Sequence, residues 1–341
     1  MFKRLLNQGT HRIFELPILV LMPHSRCNCR CIMCDIWKAN AEKRELSVET
    51  IERSLSAFKA LGVRRIALSG GEALMHSNFW KFCDALHTLP VKISLLSTGI
   101  TIKNNATEIV RHCDDVIVSL DGGREMHDSI RNIPSAFDKL GEGIQALKTL
   151  SPGFRVTGRS VIQKKNFRDF RNIILASKHL RLDQISFLAA DVSSEAFNRK
   201  EPWSKERLSA VSLTIEEAHT LEGLLRESFV EFRKDFDSKY VAESIEKLLD
   251  IVKYYKALIT DTPFPKKSCN APWTSAVVES NGDVLPCFFH KSYGNIYDEG
   301  FVEIVNSRRA IAFRKNLNVQ ADPVCQRCVC SLHVPFWSKI S

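Results

Sequence analysis

Along the first ~190 residues, short apolar runs alternate with stretches of helical period. Ile18 to Met22 is brief, continuous and apolar, the pattern of a buried strand. Val48, Ile51, Leu55, Phe58 and Leu61 then recur at helical spacing behind Ser47, a good N-cap, and Gly62 stops them. The same rhythm predicts strands at 64–68, 91–96, 116–120, 154–162 and 184–188. Helices are predicted at 77–88, 104–112, 134–150 (with Pro134 near the start) and 169–181. Six such repeats imply a parallel sheet with right-handed crossovers. Six fall short of the eight of a closed barrel, so an open partial barrel and a doubly wound sheet both fit.

From Asp191 the rhythm changes. Residues 192–210 are polar and have no clear period. Thr214-Ile215-Glu216-Glu217 has the form of a capping box. Leu221, Leu224, Leu225, Phe229, Phe232 and Phe236 make one helical stripe, and Val241, Ile245, Leu248, Leu249 and Val252 another. Both stripes suit core packing. Thr262-Pro263-Phe264-Pro265 is a stiff link toward the C-terminal end. Three regions result: a core over 1–191, a helical insertion over 192–268 and a C-terminal region over 269–341.

Polar turns follow the predicted strands: a cysteine loop, Ser69-Gly70-Gly71-Glu72, Ser97-Thr98-Gly99, Ser119-Leu120-Asp121-Gly122 and Ala189-Ala190-Asp191. In parallel α/β folds that edge carries ligands and chemistry.

The cysteine loop changes the picture most. Cys27, Cys29, Cys31 and Cys34 fall within eight residues, and Cys27, Cys31 and Cys34 are spaced C-x3-C-x2-C. Three thiolates on one loop do not complete a tetrahedral zinc site, but they can hold three irons of a cubic iron–sulfur cluster and leave the fourth open. Cys29 is a spare thiol. A second group lies far along the chain. Cys269 and Cys287 flank a hairpin predicted from strands at 274–279 and 283–285 around Asn281-Gly282, and Cys325-Gln326-Arg327-Cys328 adds a close pair. Four such sulfurs suit a cluster or zinc equally. Cys330 is one further thiol, with His333 nearby. Cys83 and Cys113 are isolated and expected to be buried fillers.

Clumped thiolates imply a reducing compartment. Met1-Phe2-Lys3-Arg4 and the apolar stretch to Met22 imitate a signal peptide, but Pro17 interrupts it and no small-residue cleavage site comes after it. A cytoplasmic protein without a transmembrane segment is expected. The net charge of +9 suits an anionic partner, but Lys and Arg are dispersed and no nucleic-acid partner is expected.

The cysteine loop resembles the defining motif of the radical S-adenosylmethionine (SAM) superfamily, and the C-terminal pattern resembles the SPASM and "twitch" extensions of that family. The resemblance implies a partial (β/α)6 TIM-like barrel with a helical insertion and a small cysteine-rich auxiliary-cluster domain. It implies a [4Fe–4S] cluster on Cys27, Cys31 and Cys34 whose open iron binds SAM. It also implies an auxiliary [4Fe–4S] cluster on Cys269, Cys287, Cys325 and Cys328, with Cys330 as the alternative to Cys328. Gly70, Gly71 and Glu72 look like the family's GGE motif, the acid meeting the SAM amino group. Ser97 and Thr98 occupy the place of a Thr-Asn-Gly motif and depart from it. Ser119 corresponds to a ribose or methionyl contact and Arg131 to a partner of the SAM carboxylate, while Ile162, Gln163 and Leu188 are placed to flank adenine.

The function implied is reductive SAM cleavage followed by hydrogen abstraction from a small molecule or peptide, with oxidation or cross-linking as the outcome and an external flavodoxin- or ferredoxin-like reductant. A radical transferase on a lipid, sugar or nucleotide is the alternative; an iron–sulfur or zinc scaffold without catalysis is another. Asp121, Asp191 and His290 are candidate acids or bases by type only.

Overall fold

The strand Ile18–Leu21 (β1) is hydrogen-bonded on both sides, and the sheet grows outward from it. A computed structural model describes residues 2–199, 201–335 and 337–338. Met1 and the end of the 269–341 region (336 and 339–341) lie outside the described residues. On one side of β1 run Arg65–Leu68 (β2), Lys92–Ser97 (β3), Asp115–Ser119 (β4), Arg155–Ile162 (β5) and Gln184–Ala189 (β6), all parallel. On the other side Ser275–Val278 (β7) pairs parallel to β1. Asp283–Leu285 (β8) and Gly294–Asn295 (β9) then continue antiparallel, giving the order β6-β5-β4-β3-β2-β1-β7-β8-β9. The architecture is the partial (β/α)6 barrel with a helical insertion and a cysteine-rich C-terminal domain. The Asn281-Gly282 turn forms with Gly282 at φ 90°. The parallel docking of β7 onto β1 left no trace in sequence periodicity.

The strands alternate. Leu19, Leu21, Ile66, Leu68, Ile93, Leu95, Val116 and Val118 are fully buried against the outer helices. Leu96, Ile117, Val161 and Leu188 face inward and line a cleft, so their burial is incomplete. Ser47 caps the helix Val48–Ala60 by accepting from the Thr50 amide. Cys83 and Cys113 are buried fillers, as expected.

Two differences have local causes. The helix expected from 134 begins at Ala136, because Ser135 sits in the left-handed region at φ 58°. A separate helix, Arg124–Arg131, precedes it. Its sequence, Arg-Glu-Met-His-Asp-Ser-Ile-Arg, carries too few apolar residues to show a period, yet it buries His127, Ile130 and Arg131.

The insertion covers the free edge of β6. Ile185 exchanges backbone bonds with Tyr240 and Ala242 at 2.8 and 2.9 Å. The capping box on Thr214 and Glu217 is formed and opens the helix Ile215–Glu231. A further helix, Ile245–Ala257, packs against β6. The aperiodic stretch after Asp191 holds a short helix, Lys205–Val211. The N-terminal helix Phe2–Thr10 ties the ends of the chain together. Asn7 is fully buried and bonds the Glu15 and Trp273 carbonyls, and Arg4 donates to the Pro335 and Ser338 carbonyls. Among the described residues no helix is long and apolar enough to cross a membrane.

Candidate functional site

The cysteine loop leaves β1 at the C-terminal edge of the sheet and is held by side-chain and backbone bonds from the 36–41 turn, Arg131 and Glu72. Asn40 brackets Cys27, accepting from its amide at 2.9 Å and donating to its carbonyl at 3.0 Å. Trp37 Nε1 donates to the Cys34 carbonyl at 2.9 Å. The Arg30 amide donates to the Arg131 carbonyl at 3.1 Å, and Arg131 Nη1 lies 3.6 Å from Cys31 Sγ. The Glu72 amide donates to the Arg26 carbonyl at 2.8 Å. Gly71 must be glycine here: a Cβ would sit 2.1 Å from the Arg26 carbonyl oxygen.

Cys27, Cys31 and Cys34 line one cleft of about 400 Å³ together with Gly70, Gly71, Ser97, Thr98, Ser119 and Arg131. The fold thus gathers nine expected residues from four strand ends. Glu72 is set behind that surface. It is fully buried and accepts from Ser97 Oγ at 3.0 and 3.1 Å, Thr98 Oγ1 at 2.6 Å, the Thr98 amide at 2.8 Å and the Leu74 amide at 3.3 Å. Burial raises its pKa and these donors oppose the rise. Of the three residues expected to flank adenine, Leu188 lines the cleft, while Gln163 is fully buried.

Arg131 is buried in an ion pair with Asp121. His127 faces the same turn: its Nδ1 accepts from the Asp121 amide at 3.2 Å, and burial, helped by Arg131, lowers its pKa to about 3. Cys31 is lowered to about 7, chiefly by a hydrogen bond from Cys29 and further by Arg131, against the opposing effect of burial. Cys34 is pushed up to about 12 by burial. Of the candidate acids and bases, Asp121 and Asp191 are thus engaged with arginines, Asp191 with Arg199 at 3.2 Å.

The donor set fits a polynuclear, anionic group. Arg26 Nε, Asn28 Nδ2 and Arg131 Nε are buried donors without a protein acceptor around the loop. Among the described residues no three of the loop thiols converge within 4.8 Å, as ligands of one ion would.

A second group of sulfurs reaches the same cleft through Cys330. Cys287 follows β8, and burial pushes its thiol up to about 11. Cys325 sits in the turn Pro323–Gln326, capped by Asp322, with His290 Nε2 at 3.3 Å from its sulfur. Cys328 Sγ donates to the Cys330 carbonyl at 2.7 Å, and Cys330 itself lines the same cleft as Cys27, Cys31 and Cys34. His290, Asp322 and Cys325 are the one trio of the described residues close enough to share an ion. Sequence reasoning missed Asn40 and Trp37, whose residue types are common, and the partnership of His290 with Cys325, which only folding brings together.

The radical SAM superfamily profile matches residues 21–176, and the SPASM iron–sulfur cluster-binding domain profile matches 269–329. The antilisterial bacteriocin subtilosin biosynthesis protein AlbA of Bacillus subtilis (strain 168) is 22% identical over 87% of this chain. The chain spans 59% of the length of AlbA. Fe-coproporphyrin III synthase of Methanosarcina barkeri is 25% identical, covering 92% of this chain and 80% of its own. Streptococcus suis SuiB, solved with its precursor peptide SuiA, superposes with a TM-score of 0.66 at 16% identity, over 97% of this chain and 75% of its own, a likeness of fold. The cofactors are accordingly a [4Fe–4S] cluster, SAM and an auxiliary iron–sulfur centre. The chain belongs to the radical SAM superfamily and carries a C-terminal iron–sulfur cluster-binding domain of the SPASM type.

Proposed function

We propose that this protein is a radical SAM oxidase or cross-linking enzyme acting on a peptide or a peptide-sized small molecule. Cys27, Cys31 and Cys34 hold the SAM-binding cluster, and Cys269, Cys287, Cys325 and Cys328 hold the auxiliary one. Bound there, these groups would supply one-electron cleavage of SAM to methionine and a 5′-deoxyadenosyl radical, hydrogen-atom abstraction from substrate to give 5′-deoxyadenosine, and an acceptor for the second electron, which the substrate radical would lose together with a proton to solvent.

The protein's own part is positional. Arg131 keeps positive charge at Cys31. Gly70 and Gly71 let backbone approach the cofactor, and Ser97, Thr98 and Ser119 present hydroxyls along one wall. Phe197, Phe288 and Phe289 line the cleft and offer apolar surface to a substrate side chain. An external flavodoxin- or ferredoxin-like protein supplies the first electron. The observation that carries this reading is that Cys330 and the three loop cysteines line one cleft, so substrate there is near both sulfur groups. A peptide is favoured because AlbA serves bacteriocin biosynthesis and SuiB binds a precursor peptide.

The test is anaerobic reconstitution with SAM and dithionite. Production of 5′-deoxyadenosine is expected from the wild type and not from Cys34→Ala. Equal production by both sinks the assignment. Cys269→Ala should lose about half the iron; unchanged iron removes the auxiliary ligand set.

A further inference from the structure

The stretch after β6 had no period to read, and it makes the most specific contacts to the cysteine loop. The Trp203 ring lies between two guanidinium groups, Arg199 at 4.0 Å and Arg207 at 4.1 Å from its centroid. Its Nε1 donates to Asp35 at 2.6 Å. Arg207 donates to the same carboxylate, at 3.0 Å to Oδ2 and 2.7 Å to Oδ1, and its Nη2 reaches the Ile32 and Cys34 carbonyls at 3.4 and 3.5 Å. Asn198 donates to the Asp35 carbonyl at 3.2 Å. Asp35 directly follows Cys34 and is 3% exposed.

The other end of this assembly is anchored on the barrel. Arg199 is 4% exposed and bonds Asp191 through both side chain and carbonyl, at 3.2 and 2.9 Å. Asp191 lies just past the end of β6 and lines the cleft. Between the anchors, Phe197 and Asn198 both have left-handed backbone, at φ 60° and 62°, an uncommon conformation for a phenylalanine. That turn places Phe197 in the cleft.

We propose that Arg199, Trp203 and Arg207 are positioning residues that lock the Met33–Ile36 turn of the cysteine loop, and with it the wall of the SAM pocket formed by Met33, Cys34 and Ile36. The proposal rests on the radical SAM reading of the cleft. Its physical basis is the buried Asp35 carboxylate. Three side chains converge on it: Trp203 and Arg207, and Lys38, whose ammonium lies 2.8 Å from Oδ1. A buried charge with several fixed donors has one low-energy position, and a backbone attached to it inherits that rigidity. Partners that orient a ligand in this way typically carry tenfold or more in affinity.

A purely structural role would cost stability and leave the pocket unchanged. The test therefore uses the reconstituted full-length chain and reads the pocket directly. Arg207→Gln should keep iron at 269–330, weaken SAM binding about tenfold in equilibrium dialysis, and speed amide exchange at residues 32–36. The SAM-dependent change in the electron paramagnetic resonance of the reduced protein should shrink with it. Arg207→Lys keeps the charge and should recover part of the affinity. Wild-type SAM affinity and wild-type exchange in Arg207→Gln overturn the proposal. If Arg207→Gln does not fold, Trp203→Phe decides the matter: it keeps the stack, loses the Nε1 donor, and must still show faster exchange at 32–36. A wild type that binds no SAM overturns the reading of the cleft itself, and the lock with it.

Discussion

Thr98 is joined to Glu72 twice, by its hydroxyl at 2.6 Å and by its backbone amide at 2.8 Å. The same hydroxyl lies 2.9 Å from Asn28 Oδ1 in the cysteine loop, so its one hydrogen is shared between the carboxylate and that amide oxygen. Three strand-end turns are thus coupled through one threonine. Thr98→Val should destabilise the fold by about 1–3 kcal/mol, since it leaves a fully buried carboxylate short of a donor. Thr98→Ser should sit close to wild type. Urea denaturation of the two variants checks this.

Gly71→Ala is expected to separate the cysteine loop from the glycine turn, because its Cβ would meet backbone at 2.1 Å and backbone cannot yield as a side chain can. Iron bound by the loop should fall, with a stability loss of about 2–3 kcal/mol. Gly123→Ala is the control: it has open space around its Cβ, and iron content and melting temperature should hold.

His127 gives a pH dependence with a definite sign. Its folded pKa is lowered, to about 3 against an ordinary 6.5, by burial and then by Arg131. The unfolded chain therefore takes up the proton first as pH falls. The stability this group contributes is complete above pH 6.5 and is lost progressively between 6.5 and about 3. His127→Asn, which can still accept from the Asp121 amide, should flatten the slope of denaturation midpoint between pH 7.5 and 5.5, relative to wild type.

Asn7 makes four bonds, three of them buried. Its amide donates to the Glu15 and Trp273 carbonyls and its oxygen accepts from the Phe14 and Glu15 amides. Asn7→Ala orphans those groups and should cost about 2–4 kcal/mol. Asn7→Asp keeps the acceptor, loses the donor and should fall between, which chemical denaturation will show.

Cys330→Ser should retain the auxiliary iron and Cys328→Ser should lose it, if Cys330 is the thiol left facing the cleft. Iron and sulfide analysis of the two proteins separates them. The reverse result exchanges the two roles.

Where an element buries a continuous or periodic apolar face, the sequence announces it: β1 to β6 and the capping box at Thr214 needed only local pattern. The cysteine spacing announced its chemistry for the same reason, since ligand geometry constrains neighbours in the chain. What stayed hidden depends on distant partners. The 124–131 helix is stabilised by burying His127 and Arg131 against Asp121, not by an apolar stripe. Trp203 and Arg207 meet Asp35 across about half the chain, and no local pattern marks them. Glu72 was expected to face the cofactor from the GGE resemblance; the fold adds that Ser97 and Thr98 donate to it, which no local pattern marks.

The pairing of β7 with β1 has a consequence for anyone cutting or recombining this chain. The cysteine-rich C-terminal part is not a bead on a string, because its first strand is the neighbour of the barrel's first strand. A truncation before Ser275 would strip β1 of a partner and expose an apolar edge open to self-association. A graft from a relative has to bring a strand that matches Ile18–Leu21 in register. The seam between the two halves runs through the sheet itself, so the spacing of the two cysteine sites is fixed by backbone and is not a linker length that can be tuned.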